Sequence, residues 1–599
     1  MTWSTKLQKL LHIGHAYAPV VYHSSYRLPL TSLLARTGLD PRRADLALWW
    51  MLAHGGLKKP DVVQAQPGNW ADLLTVHTED WLQKLHEAPQ LAEVLAVEPW
   101  DIDVDALWRS LHLIVGGTVQ AARLALQRQG PVLQLAGGMH HAHPNSGAGF
   151  CPINDIAVAI AVLRREGLTG RVAVLDLDAH PPDGTRACLL HLGETLGANG
   201  TAWIGSLSGC DWGPLPDVDE TVLPVGCDDP TYLAALGALL GRMPPAALTF
   251  VVAGGDVVRG DPLGRLGVSL AGCQQRDVRV ATKMADQPSV WLPAGGYGES
   301  AWQVLAQTWL AIADRAHVTI TPGIDPLAEH AQAISATLDP NQLGDWSLDL
   351  ADIEAELTGR PPQSPRLLGF YTAAGIELAL CQQGVLAQLE RLGYTALQAE
   401  IAPAHPGDRM RLTGQVGDDP TRHVLVEVVL ERQHRSDGDV LFVHWLELRH
   451  PKGAFAHGRP PLPGQSVPGL GMAREAGALL VRMAERLGLH GVALRPAWFH
   501  VAYTGRQRMR FADAARQGRF VALMRDLQAM PAFVDPARGF ALARASQAVA
   551  AGKVWISRGN EPPQVYRWEP DDFVQVLAPQ VQLPEVACEA LAVRFSLTG

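Results

Sequence analysis

The 599-residue chain has no CxxC pair among its seven cysteines, at positions 151, 188, 210, 227, 273, 381 and 588. It therefore offers neither a disulfide framework nor a thiolate zinc site. It has no run of the roughly 18–20 apolar residues that a membrane span needs, and its opening, MTWSTKLQKLLHIGHAYAPVV, carries lysines without a sustained apolar stretch. A cytoplasmic, soluble protein with no membrane partner is expected. Positive charge is scarce as well. Fifty Lys and Arg stand against 60 Asp and Glu, a net charge of −10, which argues against a nucleic-acid binder, since such proteins present a dense basic face. Long low-complexity segments and internal repeats are missing too. Hydrophobic residues reach 47% against 18% charged, enough to build packed cores and to exclude extended disorder. A chain of this length predicts two or three domains.

Between about 130 and 315, short apolar runs alternate with helical patterns. The runs are 132–136 (VLQLA), 171–178 (RVAVLDLD), 202–207 (AWIGSL), 248–254 (LTFVVAG) and 289–294 (SVWLPA), with helices expected at 111–129, 154–165, 231–242 and 300–315. Continuous apolar runs of this length read as strands of a parallel sheet buried on both faces. The fold class is thus α/β, and ligands of such sheets gather at the carboxyl ends of the strands. Those ends are informative here: the runs are followed in turn by GGMHHAH, DLDAH, SL, GGD and GGY.

Beyond about 320 the texture changes. Residues 323–365 read as a helical, Pro-rich connector ending in GRPPQSPR, and 366–599 as an accessory α/β domain. That domain opens with a helical stretch at 371–391, followed by strands at 397–402, 409–415, 423–431 and 440–448. Asp437-Gly438 suits a hairpin turn between the last two. A Gly/Pro-rich loop, LPGQSVPGLG, leads into a helix with Ala476, Leu479, Leu480, Met483 and Leu487 on one face and Gly488 at its end.

Asp178 and His180, two apart at a strand end, point the same way. Alone they would be no more than a loop start. With Asp256 from another strand end they make an Asp-His-Asp set with open coordination positions, the pattern of a catalytic zinc. His140 and His141 can supply a general base and an electrostatic partner if carboxylates hold them, and Asp176 and Asp183 flank the metal motif. Tyr297, after Gly295-Gly296, can donate its phenol to a developing oxyanion.

In order along the chain, GGMHHAHPNSGAGFCPINDIAVAI, VLDLDAHPPDG, AGGDVVRGDPLGRLGVS and LPAGGYGES resemble the signature segments of the histone deacetylase superfamily. YHSSYRLPL, WADLLTVHTEDWL and LIVGGTVQAARLAL extend the resemblance, which covers residues 15–320 and leans toward the bacterial and class IV-like branch. It implies an arginase-like fold over 1–322 that hydrolyses N-acyl amides with one zinc ion. By this resemblance Asp178, His180 and Asp256 are the metal ligands. His140 and His141 are the tandem histidines, partnered by Asp176 and Asp183, and Tyr297 is the catalytic tyrosine. Gly149 and Phe150 line an acyl-lysine tunnel, with the glycine carbonyl accepting the substrate amide hydrogen. Ser206-Leu207 and the 176–180 segment match a structural potassium site. The implied partners are acylated lysine in a protein or peptide, or a small acylated amine, and hydroxamate inhibitors.

Some features depart from the superfamily. Pro181-Pro182 stand where a His-Gly or Gln-Gly pair is usual, which removes backbone donors and stiffens the loop. A rim aspartate that grips the substrate backbone is not assigned among Asp101, Asp103 and Asp105, and the wall opposite Phe150 is Trp212 or Leu215. A catalytically silent acyl-lysine-binding scaffold is the alternative of another class. The second half resembles GCN5-related N-acetyltransferases over about 60 residues, with Tyr503 where such enzymes carry a general acid. Ser466 stands at the head of the loop, and Pro463 and Pro468 remove donors from it, so an acetyltransferase-like fold that positions substrates or forms a homodimer is expected rather than a second enzyme.

Overall fold

The apolar runs of the first half become the inner strands of one sheet. In a computed structural model the described residues are 18–30, 37–210, 212–213, 215–285, 287–344, 365–417, 419–435, 438–455, 460–535, 539–558, 561–577 and 593–597. The chain divides into two units, Met1–Pro326 and Leu327–Gly599. The first is built on β1 (Val20–Tyr22), β2 (Val62–Gln64), β3 (Pro131–Gln134), β4 (Val172–Asp176), β5 (Ala202–Ser208), β6 (Asp219–Val222), β7 (Leu248–Val252) and β8 (Ser289–Leu292). They form an eight-stranded sheet in the order β2-β1-β3-β8-β7-β4-β5-β6, with every pairing parallel. β4, β5, β7 and β8 are buried at every position. That explains their unbroken apolar sequence, since a strand covered on both faces has no polar side to alternate with. β2 and β6 are the edge strands and only partly buried, and β1 is three residues long, so none leaves an unbroken apolar run.

The strand order sets the place of the site. From β4 the chain steps outward to β5 and β6, then returns to lay β7 against the other side of β4 and continues to β8. The last ladder bond between β4 and β7 runs from Leu177 N to Val252 O at 2.9 Å. Beyond it the two chains part, which opens a crevice at the carboxyl ends where the winding direction reverses.

The principal helices of this unit are α1 (Val104–Arg128), α2 (Asp155–Arg165), α3 (Asp183–His191), α4 (Asp229–Arg242), α5 (Leu270–Lys283) and α6 (Ala301–Ile312). Side chains cap several of them: Asp103 accepts from Ala106 N, Asn154 from Ala157 N and Ser269 from Gly272 N. α1 packs on α2, while α4, α5 and α6 pack in succession, so the two groups flank the sheet. α5 is absent from the sequence reading because QQRDVRV looks too polar to be covered, yet Arg276 and Asp277 within it are fully buried.

The second unit holds a mixed sheet. β9 (Tyr394–Pro403), β10 (Asp408–Val416), β11 (Asp419–Gln433) and β12 (Val440–Leu448) pair antiparallel. β12 then pairs parallel with β13 (Gly491–Leu494) across α7 (Ala473–Arg486), and β14 (Arg510–Phe511) and β15 (Phe573–Val576) complete the seven strands. The four expected strands lie within β9 to β12. The expected helical stretch is the pair Ala373–Gln382 and Val385–Arg391. Residues 345–364 of the expected connector lie outside the described residues, as does Asp437 of the expected hairpin turn. Gly438 is described, with φ of +123°. Of the expected apolar face of α7, Leu479, Leu480, Met483 and Leu487 pack half-buried against the core, while the deeply buried positions are Glu475, Ala478, Val481 and Ala484. The core here accepts small side chains at its centre and lets the leucines wedge in from the sides. Among the described residues no helix is long and apolar enough to cross a membrane.

Phe250, at the middle of β7, is fully buried. Phe250→Ala is expected to lower stability by about 3–5 kcal/mol, read as an earlier unfolding midpoint in urea.

Candidate metal centre and catalytic pocket

β4 ends at Asp176, and Asp178 and His180 follow it into the crevice; Asp256 arrives from the end of β7. One ligand atom from each of Asp178, His180 and Asp256 falls within 4.8 Å of the others. His180 Nδ1 lies 3.1 Å from Asp178 Oδ1 and 3.0 Å from Asp256 Oδ2. Backbone amides aim the carboxylates. Asp178 accepts from His180 N on Oδ1 at 3.0 Å and from Gly295 N on Oδ2 at 2.7 Å, and Asp256 Oδ1 accepts from Ala179 N at 3.0 Å.

This donor set suits a cation. Both carboxylates are buried, which penalises their charge, and burial together with neighbouring Asp178 pushes Asp256 up to about 7. Burial would lower His180, but the two carboxylates outweigh it and raise it to about 11. A nitrogen and two oxygens at these separations compare with the ligand spacing of about 3.4 Å implied by ordinary zinc bond lengths in a tetrahedral site. Gly295 leaves no room for anything larger: a Cβ there would stand 2.6 Å from both Asp178 Oδ2 and Asp256 Oδ2.

Beside this set lie two imidazole–carboxylate pairs. His140 Nδ1 is 2.8 Å from Asp176 Oδ2, and His141 Nδ1 is 2.7 Å from Asp183 Oδ1. The rings are 4.0 Å apart between centroids. Their environments separate them. His140 is pushed up to about 9, because Asp176 and Asp178 outweigh its burial. His141 is pushed down to about 4 by burial and by the neighbouring His140 charge, which Asp183 only partly offsets. Asp183 opens α3, and Pro182 serves as the helix N-cap, so the unusual Pro181-Pro182 pair turns the chain into the helix that carries this carboxylate. Asp183 also takes His143 Nε2 at 3.0 Å, a partner the sequence did not suggest.

Tyr297 is buried, which holds its phenol well above the ordinary range, with Asp178 and Asp256 acting in the same direction. Its amide donates to Asp261 Oδ2 at 2.7 Å, and its ring meets that of Phe150 at 5.3 Å. Gly149 and Phe150 both have positive φ, +53° and +65°. A Cβ on Gly149 would sit 2.4 Å from His141 Cδ2, so that close approach requires glycine. Of the two wall candidates, Trp212 stands at the site, 5.1 Å from the His141 ring and 5.8 Å from that of His180, while still 55% exposed. Asp103 is engaged as the cap of α1, and Asp105 is exposed in its first turn. Beneath, a cavity of about 110 Å³ is lined by Arg43, Met139, Phe150, Gly295 and Tyr297. Arg43 donates to Ala294 O at 2.6 Å and Gly296 O at 3.2 Å, gripping the turn that carries Tyr297.

Several of these supports escaped the sequence reading. Asp261 lies inside a quoted signature segment without a role. Asp155 accepts from Gly138 N, Met139 N and Thr118 Oγ1, and so anchors the loop before the tandem histidines. His77 accepts from Asn154 N on Nε2 at 2.9 Å and presents Nδ1 to His143 O at 3.0 Å. A lone His in an N-terminal segment gives no sign of such a partner.

The family model "Histone deacetylase domain" matches residues 38–196. Histone deacetylase 2 of Arabidopsis thaliana is 28% identical over 305 residues, 48% of this chain and 77% of that protein. An uncharacterized protein of Picosynechococcus sp. is 31% identical over 292 residues, 47% of this chain and 93% of that protein. A crystal structure of an HDAC homolog complexed with SAHA covers 53% of this chain and 88% of its own, at 21% identity and a TM-score of 0.41.

If Asp178, His180 and Asp256 hold a divalent cation, Gly295→Ala is expected to weaken its binding, measured by metal titration of the purified chain, because the added methyl group displaces both carboxylates. His77 gives a pH effect. Burial depresses it to about 4, and once protonated it can no longer accept from Asn154 N. An unfolded His binds its proton near 6.5, so the stabilisation is complete above that pH and is lost as pH falls toward 4, by about 3 kcal/mol. Denaturation midpoints between pH 7 and 4 should fall less in His77→Gln than in the parent.

Proposed function

The chain belongs to the histone deacetylase family, and on that premise we propose that it is a zinc-dependent amidohydrolase that removes acyl groups from N-acyl-lysine. The observation that carries the reading is the convergence of Asp178, His180 and Asp256 beside the His140–Asp176 and His141–Asp183 pairs. Asp178, His180 and Asp256 would hold the ion, which when bound supplies Lewis acidity to a substrate carbonyl and to water. His141, neutral at physiological pH, takes the proton of the attacking water on Nε2 while Asp183 fixes Nδ1, and then returns it to the departing amine. His140 keeps its proton and its charge, held by Asp176. Tyr297 stays protonated and donates to the oxyanion, a contribution of about 3–4 kcal/mol for one such donor. Phe150 and Trp212 wall the acyl-lysine chain, and the Gly149 carbonyl accepts its amide hydrogen.

A structural potassium ion has its own support. The Ser206 hydroxyl is buried without a hydrogen-bond partner among the described residues, and Ser206 is paired with Asp176 across β4 and β5. An unsatisfied buried oxygen at that point is explained by a cation. A second reading, deacylation of small acylated amines such as acetylpolyamines, draws on the rim, where Asp103 is committed to capping α1 rather than available to grip a peptide backbone. Hydroxamates should inhibit in either case. The second unit is read as an accessory domain of acetyltransferase-like build without transferase activity, a reading supported by the parallel β12–β13 pair bridged by α7.

The test compares the parent chain with Asp256→Ala and Tyr297→Phe, by zinc content and by hydrolysis of acyl-lysine peptides and acyl polyamines of graded chain length. Asp256→Ala should lose both zinc and activity. Tyr297→Phe should keep zinc and turn over about 10²–10³-fold more slowly. A zinc-loaded parent that hydrolyses none of these amides would refute the reading.

A further inference from the structure

Helix α5 carries two charges into the core. Arg276 and Asp277 each have no exposed side chain. A buried ion pair is costly to desolvate, and apolar residues of equal volume often serve stability as well, so packing alone does not account for it. Its contacts do. Arg276 Nε donates to Asp277 Oδ1 at 2.8 Å, and Thr308 Oγ1 of α6 donates to Asp277 Oδ2 at 2.6 Å. With the carboxylate held from both sides, the guanidinium plane is fixed; the buried Tyr232 hydroxyl lies beside it, and its Nη donors reach main-chain carbonyls. Nη1 reaches Gly254 O at 2.6 Å and Leu177 O at 3.5 Å, and Nη2 reaches Ala253 O at 3.4 Å.

These three carbonyls lie where β4 and β7 have just lost their ladder, beyond Leu177 N to Val252 O. Buried carbonyls released from a sheet need other donors, and one planar fork supplies them from both chains at once. Leu177 immediately precedes Asp178, and Gly254 stands two residues before Asp256. Gly254 is also pressed against the ligands: a Cβ there would lie 2.7 Å from Asp178 Cα and 2.8 Å from Asp256 Oδ1. The Gly254 peptide thus lies close against both residues, with little slack between them. Every link from Thr308 through Asp277 and Arg276 to that peptide is a direct contact.

We propose that Arg276, aligned by Asp277 and Thr308, is a positioning residue that sets the separation of Asp178 and His180 from Asp256, and with it the affinity and geometry of the metal centre. The proposal rests on the metal reading given above. It assigns α5 and α6 a role in the site although neither contributes a ligand.

The test uses the full chain with Arg276→Lys, Asp277→Asn and Thr308→Val. Zinc affinity is measured by competition with a chelator, and the visible absorption of the Co(II)-loaded protein reports ligand geometry. Lys keeps the charge without the fork, so Arg276→Lys should bind zinc about 10–100-fold more weakly and shift the cobalt bands, with unchanged far-UV circular dichroism. Thr308→Val and Asp277→Asn should shift the bands in the same direction by less. If Arg276→Lys does not fold, Thr308→Val, which removes one hydroxyl and keeps both charges, decides. Variants that lose thermal stability yet keep the parent zinc affinity and cobalt spectrum would show the pair to be structural and overturn the proposal. A parent chain that binds neither zinc nor cobalt overturns the metal reading itself, and is seen before any variant is made.

Discussion

Two carboxylates buried within hydrogen-bonding distance of one imidazole are the constraint around which the first unit is built. Asp178 and Asp256 cannot stay charged in an apolar interior unless something offsets them. Three amides are spent on them, from Ala179, His180 and Gly295. Two glycines, 254 and 295, are needed because a methyl group at either would strike the carboxylates. The sheet contributes the place: only where β4 and β7 part at their carboxyl ends can two strands deliver acidic groups to one point without breaking the ladder.

The second consequence is a division of labour between chemically identical groups. His140 and His141 are sequence neighbours with almost touching rings, yet one is held charged and the other neutral. The difference comes from which carboxylates face them and from their repulsion of each other. Tyr297 is kept as a phenol by burial and by the nearby Asp178 and Asp256, and its turn is gripped by Asp261 from one side and Arg43 from the other. The two carboxylates and the Tyr297 turn are thus held through main-chain contacts, and the two histidines through carboxylates, supplied from elsewhere in the fold. The proposed chain from Thr308 through Arg276 to the Gly254 peptide extends that arrangement one layer further from the ligands.

The inner strands were legible because burial on both faces leaves an unbroken apolar run, and the site because its groups sit immediately after those runs. α5 was not legible: its buried Arg276 and Asp277 reverse the polar-out pattern by which a helix face is read. On α7 the expected leucines and Met483 do pack against the core, but only half-buried; that Glu475, Ala478, Val481 and Ala484 go deepest was not legible from hydrophobicity. Asp261, Asp155 and His77 act through backbone partners 16 to 77 residues distant, and nothing in local composition signals a contact of that kind.

By itself the sequence determined the α/β class and the strand ends that carry Asp178, His180 and Asp256, because these depend on local periodicity and on short spacings; the pairing of the two histidines with two aspartates, 36 and 42 residues away, was implied only by the family resemblance. Tertiary structure alone decided which ring is charged, that Trp212 stands beside the histidines, and that Arg43 and Arg276 turn inward. Those outcomes depend on burial and on the direction of neighbouring dipoles, which are properties of the packed chain and have no counterpart in the order of its residues.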